Sequence, residues 1–378
     1  MDIMLSNEEK KLKQYYQTFA NEKLVPLAEK YGETDDIPPE MVRVMAEAGI
    51  FKLLVPEELG GKGVKALPVC LAREMIAGVY CPADVTLAMQ GLGSYPIFLG
   101  GNEEQKRKYL VKIGSGEILT TFALTEPEAG SDVHGMKSQA QETSGGFVLN
   151  GMKRLISNGY AANISVVFAK TPLPDKPQAM SAFVLEKGTA GFTIHRRLKL
   201  MAPHDSVEMK FENCFIPREY LLGKVGEGFK IAMGTLDVFR MSVGAAAVGI
   251  GQAAFDAALN YAKKRVQFGK QISTFQAIQF KLADMATELD AARALVYRAA
   301  ILKDKGGENV SRAASMAKYY ATEASFRVVD QGVQIHGGIG VMQGSAVERL
   351  YREIRALRIY EGTSEIQKLI IANSFLKS

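Results

Sequence analysis

Tryptophan is absent from the 378 residues, cysteine occurs only three times and histidine only four. Cys70, Cys81 and Cys214 are unclustered and odd in number, which excludes a disulfide framework and points to free thiols in a reducing compartment. None of them falls at a metal-ligand spacing with His134, His195, His204 or His336, so no metal is expected. Charge of one sign is also scarce. The 46 basic against 41 acidic residues leave +5, which suits an anionic small ligand but is too slight for a nucleic-acid surface. The basic line Arg349, Arg352, Arg355 and Arg358 accordingly reads as a solvated or subunit-facing helix surface. Long hydrophobic runs are missing too. Residues 241–259 are mostly Ala and Gly and include Ser242, Gln252 and Asp256, whereas a membrane span needs about 20 predominantly apolar residues. That stretch reads as a tightly packed buried helix. The opening Met-Asp-Ile-Met-Leu-Ser-Asn-Glu-Glu carries no secretory apolar core, so a cytoplasmic protein without a membrane span is expected. What is present, 47% hydrophobic and 23% charged residues, matches a globular protein of two or three domains.

The chain changes character twice. Residues 1–118 are helical in pattern, with a capped start at Ser6-Asn7-Glu8-Glu9, helical stretches over 41–53 and 71–79, and loops at Pro38-Pro39 and Gly60-Gly61-Lys62-Gly63. Residues 119–225 switch to strands. Short runs rich in Val, Ile and Phe occupy 164–168, 181–185, 192–194 and 207–211, and Asn150-Gly151 carries the signal of a tight hairpin turn. Residues 226–378 are helical again. Ile278, Leu282, Met285, Leu289, Ala292 and Val296 form an apolar seam with a period near 3.5, as on a helix packed in a bundle.

Several chemistries are excluded by their missing motifs. Gly91-Leu92-Gly93 lacks the third glycine and the preceding strand of a dinucleotide fingerprint, and neither a nucleophile elbow nor a zinc-type histidine pair occurs. Three segments remain. Residues 124–132, Leu-Thr-Glu-Pro-Glu-Ala-Gly-Ser-Asp, make a backbone that can approach a flat ligand and offer N–H and O–H donors, although an ordinary loop would look alike. In residues 360–367, Tyr-Glu-Gly-Thr-Ser-Glu-Ile-Gln, the spacing of Ser364 and Gln367 predicts a capping box and a helix start. Glu361 then lies in the joint before that helix, where burial would raise its pKa and the helix N-terminus would lower it. A carboxylate poised there suits abstraction of a weakly acidic C–H, and a plain surface glutamate is the alternative. The third segment pairs residues 265–270, Arg-Val-Gln-Phe-Gly-Lys, with residues 334–340, Gln-Ile-His-Gly-Gly-Ile-Gly. An arginine is a natural pyrophosphate clamp, and a glycine cluster admits a close phosphate, ring or second subunit.

In this order, together with Pro56-Glu57-Glu58-Leu59-Gly60-Gly61 and Gly226-Glu227-Gly228-Phe229-Lys230, these segments resemble the acyl-CoA dehydrogenase family over essentially the whole chain. The resemblance implies a mainly helical α+β fold, with an N-terminal helical domain, a central β barrel and a C-terminal four-helix bundle. It also implies a homotetramer with one FAD per subunit. Phe122, Leu124, Thr125, Gly130 and Ser131 would line the flavin, with Leu155, Ile156 and Ser157 beside it. Arg265, Gln267, Phe268, Phe275, Gln276, Gln334, Gly337 and Gly338 would hold the FAD bound mainly by a neighbouring subunit, and Thr363, Ser364 and Glu365 would close over the flavin. Ser131 would also reach the CoA thioester side, Asp237 and Arg240 match positions near the CoA moiety, and Gly362 belongs with the substrate contacts.

The chemistry implied is removal of the α-proton of an acyl-CoA thioester by Glu361 while flavin N5 takes the β-hydride. The enolate oxygen would accept hydrogen bonds from the Glu361 N–H and an FAD ribityl hydroxyl. The electrons would pass to an electron-transferring flavoprotein, in β-oxidation or related carboxylic acid catabolism. Relatives with the base on another helix carry it at the position of Phe239; a phenylalanine there and a glutamate at 361 resemble the short- and medium-chain straight acyl branches. Alternatives are the same site run in reverse as an enoyl-CoA reductase, an acyl-CoA oxidase, and a CoA-ester-binding flavoprotein scaffold without turnover. Three departures stand out: Leu155 replaces the usual flavin-flanking aromatic, Ser157 replaces the following Thr, and residues 201–207 are shorter and lack the usual Arg. Asp84 falls in the region lining the acyl-tail cavity of relatives. It reads either as a helix cap or solvent contact, or as a polar group facing a cyclic or functionalised acyl chain, even a second proton acceptor.

Overall fold

The computed structural model describes residues 4–376. The outer limits read from the sequence, residues 1 and 378, and the opening Met-Asp-Ile lie outside them. By packing, the chain condenses into two units. One gathers the residues through Glu29, Ala66–Asp84 and everything from Asp237; the other gathers Lys30–Lys65 and Val85–Leu236.

The helices before the sheet are α1 (Asn7–Phe19), α2 (Val25–Tyr31), α3 (Pro39–Glu47), α4 (Ala66–Ala77), α5 (Cys81–Gly100) and α6 (Glu103–Gly114). Helix α1 starts at the predicted capping box: Ser6 Oγ accepts from the Glu9 N–H, and Glu9 returns the bond to the Ser6 N–H. Pro38-Pro39 is only half loop, because Pro39 opens α3 at the first helical position, where its missing N–H costs nothing.

The second unit is built on β1 (Thr120–Ala123), β2 (Gln139–Glu142), β3 (Gly146–Ser157), β4 (Ile164–Lys170), β5 (Met180–Glu186), β6 (Phe192–Arg197), β7 (Ser206–Pro217) and β8 (Leu221–Leu222). Their order is β6-β7-β3-β2-β4-β5-β8, with β1 added in parallel to β4. The expected barrel is therefore an eight-stranded sheet whose end strands β6 and β8 do not pair among the described residues. Strand β4 is buried on both faces. Val166 and Phe168 pack with Ile97, Leu110 and Ile113, while the alternate Val167 and Ala169 join Phe147, Phe183 and Phe211. Full burial of each large apolar side chain contributes about 1.5–3 kcal/mol. The predicted turn at Asn150-Gly151 is a correction. β3 runs straight through it, with a bulge against β7 between Leu149 and Gly151. Gly151 takes φ +147°, and a Cβ there would lie 2.2 Å from Ser138 Oγ. The glycine thus serves a bulge and a close strand contact rather than a hairpin.

The helices after the sheet are α7 (Gly228–Lys264), α8 (Gln276–Asp304), α9 (Val310–His336), α10 (Ala346–Leu357) and α11 (Ser364–Leu376), with a small hairpin of β9 (Val266–Gln267) and β10 (Lys270–Gln271). The predicted seam is the core face of α8, where Met285, Leu289, Ala292 and Val296 are buried. Helix α7 is long and apolar enough to cross a membrane, but 83% of its apolar window is buried inside the protein. Its small residues are there for contact. A Cβ on Gly249 would lie 2.1 Å from the Glu74 carbonyl oxygen of α4. Three of the four arginines in the basic line are ion-paired, Arg349 to Glu353, Arg352 to Glu348 and Arg358 to Glu323.

Candidate active site

Glu361 lies in the joint between α10 and α11 and is the only residue of that joint besides Gly362 with a left-handed backbone, at φ +54° and +91° respectively. A non-glycine residue held there costs about 1–2 kcal/mol, a strain that needs outside support. The support comes from α9. Glu323 accepts from Arg358 at 2.7 Å before the joint and from Ser364 Oγ at 2.5 Å after it. Lys318 Nζ donates to the Gly362 carbonyl at 2.6 Å. Gln367 Nε2 reaches back to the carbonyls of Glu361 and Gly362 at 3.2 and 2.9 Å, and Arg240 Nε approaches the Glu361 carbonyl at 3.4 Å. The predicted capping box is thereby corrected. The cap is Thr363, whose hydroxyl accepts from the Ile366 N–H, while Ser364 is already helical and Gln367 serves carbonyls instead of an N–H.

Both carboxylate oxygens of Glu361 are sealed from solvent and have no hydrogen-bond partner among the described residues. Its N–H likewise donates to none of them. Burial pushes the carboxyl up; Arg73, Lys318 and Arg240 pull it down, Asp84 pushes it up, and the balance is about 6. Of the two effects opposed in the sequence, desolvation wins. Lys318 shows the same burial from the cationic side, drawn down to about 8 although Glu361 favours its charge.

Arg73 is fully buried on α4. It grips both oxygens of Asp84 at 2.8 Å and donates to Ser242 Oγ at 2.9 Å. Asp84 is therefore the counter-ion of a buried arginine, neither a solvent-facing cap nor an unpaired acceptor. Asp237 and Arg240, one turn apart on α7, pair at 3.0 Å, and Ser311 also donates to Asp237. Between them Phe239 is buried and apolar, so position 239 holds no rival base.

The second unit carries its own cluster. Leu124 and Thr125 follow β1, and their backbone is tied to β3: Lys153 Nζ donates to the Leu124 carbonyl at 3.1 Å, and the Arg154 N–H to the Thr125 carbonyl at 2.9 Å. Lys153 also pairs with Glu126 at 2.7 Å, both side chains buried, and Glu126 accepts from the N–H groups of Lys137 and Ser138. Burial alone would raise the Glu126 carboxyl, but Lys153 and these donors hold it below the usual range. Burial draws Lys153 down to about 8 against the pull of Glu126. Just after Lys153, β3 bulges against β7, and Leu155 is turned outward at φ +58° with 52% of its surface exposed. Ile156 points the other way and is 2% exposed, so only its backbone can meet a ligand. Phe122 packs at a tilt against Phe168, with ring centroids 4.7 Å apart, while Gly130 and Ser131 are exposed, with open space where a Gly130 Cβ would stand.

In the first unit, Phe268 and Gly269 form the tip of the β9–β10 hairpin, both with positive φ, and Phe268 is 93% exposed. The guanidinium of Arg265 has no partner among the described residues. Phe275 is half-buried against Phe268, while Gln267, Gln276, Gln334 and Glu365 are exposed. Gly337 and Gly338 have open space where a Cβ would stand. Displayed apolar rings, a free guanidinium and open glycines fit a large flat cofactor bearing a pyrophosphate. Sequence reading overlooked Arg73, Lys318 and the Lys153–Glu126 pair. A buried cation carries no local pattern; only its unexpected place on an apolar helix or strand face marks it.

Family models match three segments, described as acyl-CoA dehydrogenase N-terminal domain over residues 6–117, middle domain over 121–214 and C-terminal domain over 226–376. An acyl-CoA dehydrogenase of Bacillus subtilis (strain 168) is 41% identical over 98% of this chain and 99% of its own length. An acryloyl-CoA reductase (NADH) of Anaerotignum propionicum is 41% identical over 100% of this chain and 96% of its own. A solved chain described under the electron transferring flavoprotein of Acidaminococcus fermentans superposes with a TM-score of 0.95 at 40% identity, covering 100% of both chains.

Proposed function

The chain belongs to the acyl-CoA dehydrogenase family, and from that premise we propose that it converts a saturated acyl-CoA to the 2-enoyl-CoA, with Glu361 removing the α-proton. The observation that carries this reading is the Glu361 carboxylate, sealed, unpartnered and pushed up to about 6. A base at that value is ionised at neutral pH yet stronger than an ordinary glutamate, and desolvation sharpens it further. Bound FAD, the cofactor of this family, supplies the acceptor for the hydride leaving the β-carbon. Loss of a proton from one carbon and a hydride from the next leaves the double bond and no net charge on the acyl chain. Charge developing on the thioester oxygen can be met by the unengaged Glu361 N–H. Leu124–Ser131 and Leu155–Ser157 suit the flavin ring, and Arg265, Phe268, Gly337 and Gly338 suit FAD bound by a neighbouring copy. A homotetramer gives the exposed Phe268 ring something to cover it. Phe239 with Glu361 favours a short- or medium-chain straight acyl group.

The domain limits 118 and 225, a four-helix bundle and a cytoplasmic location in carboxylic acid catabolism belong to the same proposal. So does an electron-transferring flavoprotein as acceptor, which the Acidaminococcus likeness favours. The reverse reaction, enoyl-CoA reduction, is the second reading, favoured by the likeness to an acryloyl-CoA reductase. Anaerobic titration of the yellow protein with a panel of acyl-CoA esters separates them. Bleaching by one class of saturated thioester is expected. Failure of every saturated ester, with reoxidation of the reduced flavin by enoyl-CoA, would assign the reductase; a protein that takes up no FAD would overturn the whole reading.

A further inference from the structure

The segment that lacks the family's arginine contains His204, and this histidine has a defined partner. Its Nε2 lies 3.3 Å from Ser157 Oγ, and its Nδ1 lies 3.2 Å from the Ala202 carbonyl oxygen. A carbonyl can only accept, so Nδ1 carries the ring hydrogen. Burial draws His204 below the ordinary imidazole range, which leaves a neutral ring with a single N–H. Nε2 is then a lone pair, and the Ser157 hydroxyl must donate to it. A serine hydroxyl has one proton and two lone pairs; with its proton committed, Ser157 can only accept. Its backbone is fixed as well. The Ser157 carbonyl accepts from Thr121 Oγ1 at 2.5 Å, and the residue pairs with Ser206 across β3 and β7.

We propose that His204 is a positioning residue that makes Ser157 an acceptor-only group toward the flavin and so favours the reduced form of bound FAD. The inference rests on the reading that the flavin lies beside residues 155–157. In an oxidised isoalloxazine N5 is a bare ring nitrogen, whose lone pair gains nothing from an acceptor, whereas two-electron reduction places a hydrogen on N5 that can donate to a Ser157 Oγ facing it. A serine whose proton were free would do the opposite and donate to the oxidised ring. The direction of this single O–H therefore sets the sign of a shift in the flavin potential, and with it the ease of taking a hydride from a saturated thioester.

Spectroelectrochemical titration of the FAD-loaded enzyme tests this. In His204→Phe the released hydroxyl is expected to favour the oxidised flavin about three- to tenfold at fixed solution potential, a fall of about 15–30 mV for a two-electron couple. His204→Gln, whose amide oxygen can take the same proton, should stay near the parent. In a Ser157→Ala background the His204→Phe shift should vanish. Ser157→Ala alone carries the sign, also if His204→Phe does not fold: loss of an acceptor lowers the potential, whereas loss of a donor raises it. A raised or unchanged potential in Ser157→Ala, or an undiminished His204 effect in its background, overturns the assignment. A protein that binds no FAD overturns the cofactor reading and this inference together; a yellow protein whose potential ignores both residues overturns this inference alone.

Discussion

Glu361→Gln is expected to retain FAD and acyl-CoA binding while its flavin is reduced by substrate roughly ten-thousand-fold more slowly, the upper range for removal of a positioned general base. The amide keeps the shape of the side chain and cannot take a proton. The joint should survive, because its supports run through the carbonyls of Glu361 and Gly362 and through Glu323, not through the carboxylate. The same substitution has an opposite signature in stability. A carboxyl raised to about 6 in the folded protein favours folding when protonated, fully below its ordinary value of 4.5, and that contribution is lost as pH rises through 6. Above pH 7 the ionised glutamate therefore costs about 2 kcal/mol relative to a neutral isostere, from about 1.36 kcal/mol per pH unit. Glu361→Gln should be the more stable protein at pH 7.5 and equal to the parent below about pH 4.5, as read by denaturant unfolding. A variant that loses turnover and also loses stability at pH 7.5 would mean that the carboxylate has a partner, and the idea of an idle, desolvated base would fail.

Lys153→Met is the second large effect, expected to destabilise the protein by about 3–5 kcal/mol, because it strands the buried Glu126 charge and frees the Leu124 carbonyl. Thermal and denaturant unfolding of the apoprotein measure this without reference to activity. The loosened backbone at Leu124 and Thr125 should also weaken FAD retention on dilution. Replacing both partners discriminates the cause. In Lys153→Met with Glu126→Gln the amide oxygen can still accept from the Lys137 and Ser138 N–H groups while no charge is left unpaired, so most of the loss should be recovered. A double variant as unstable as the single one would assign the effect to packing of the lysine stem rather than to its charge.

Local features were legible and long-range ones were not. The Ser6–Glu9 box, the α8 seam and the strands β4, β5, β6 and β7 each declare themselves within a dozen residues, through capping chemistry or through period. Asn150-Gly151 misleads because the signal it carries, tolerance of unusual φ, serves a bulge as well as a turn. Ser364 misleads by one position, since Thr363 before it is an equally good cap and the deciding contact is Glu323 on another helix. Glu361 could be picked out as a base by its motif, but not the direction of its pKa, because burial and the neighbouring cations oppose one another and their balance depends on Arg73, Arg240 and Lys318 arriving from three different helices. Asp84 stands out in the sequence only through the resemblance, in the region lining the acyl-tail cavity of relatives, and its use becomes clear only with Arg73 eleven positions earlier on α4. His204 carried no signal of its own beyond standing in a shortened segment without arginine.

Stopped-flow bleaching of the flavin by limiting acyl-CoA, followed anaerobically from pH 5 to pH 8.5, would test the role of Glu361 most directly, because this rate reports the ionisation of the free enzyme's base. The rate should rise with a single ionisation near 6 and level off above it, the value set by burial against Arg73, Lys318 and Arg240. A rate that stays flat from pH 5 to pH 8, or that falls as pH passes 6, would mean that Glu361 is not the group that takes the proton.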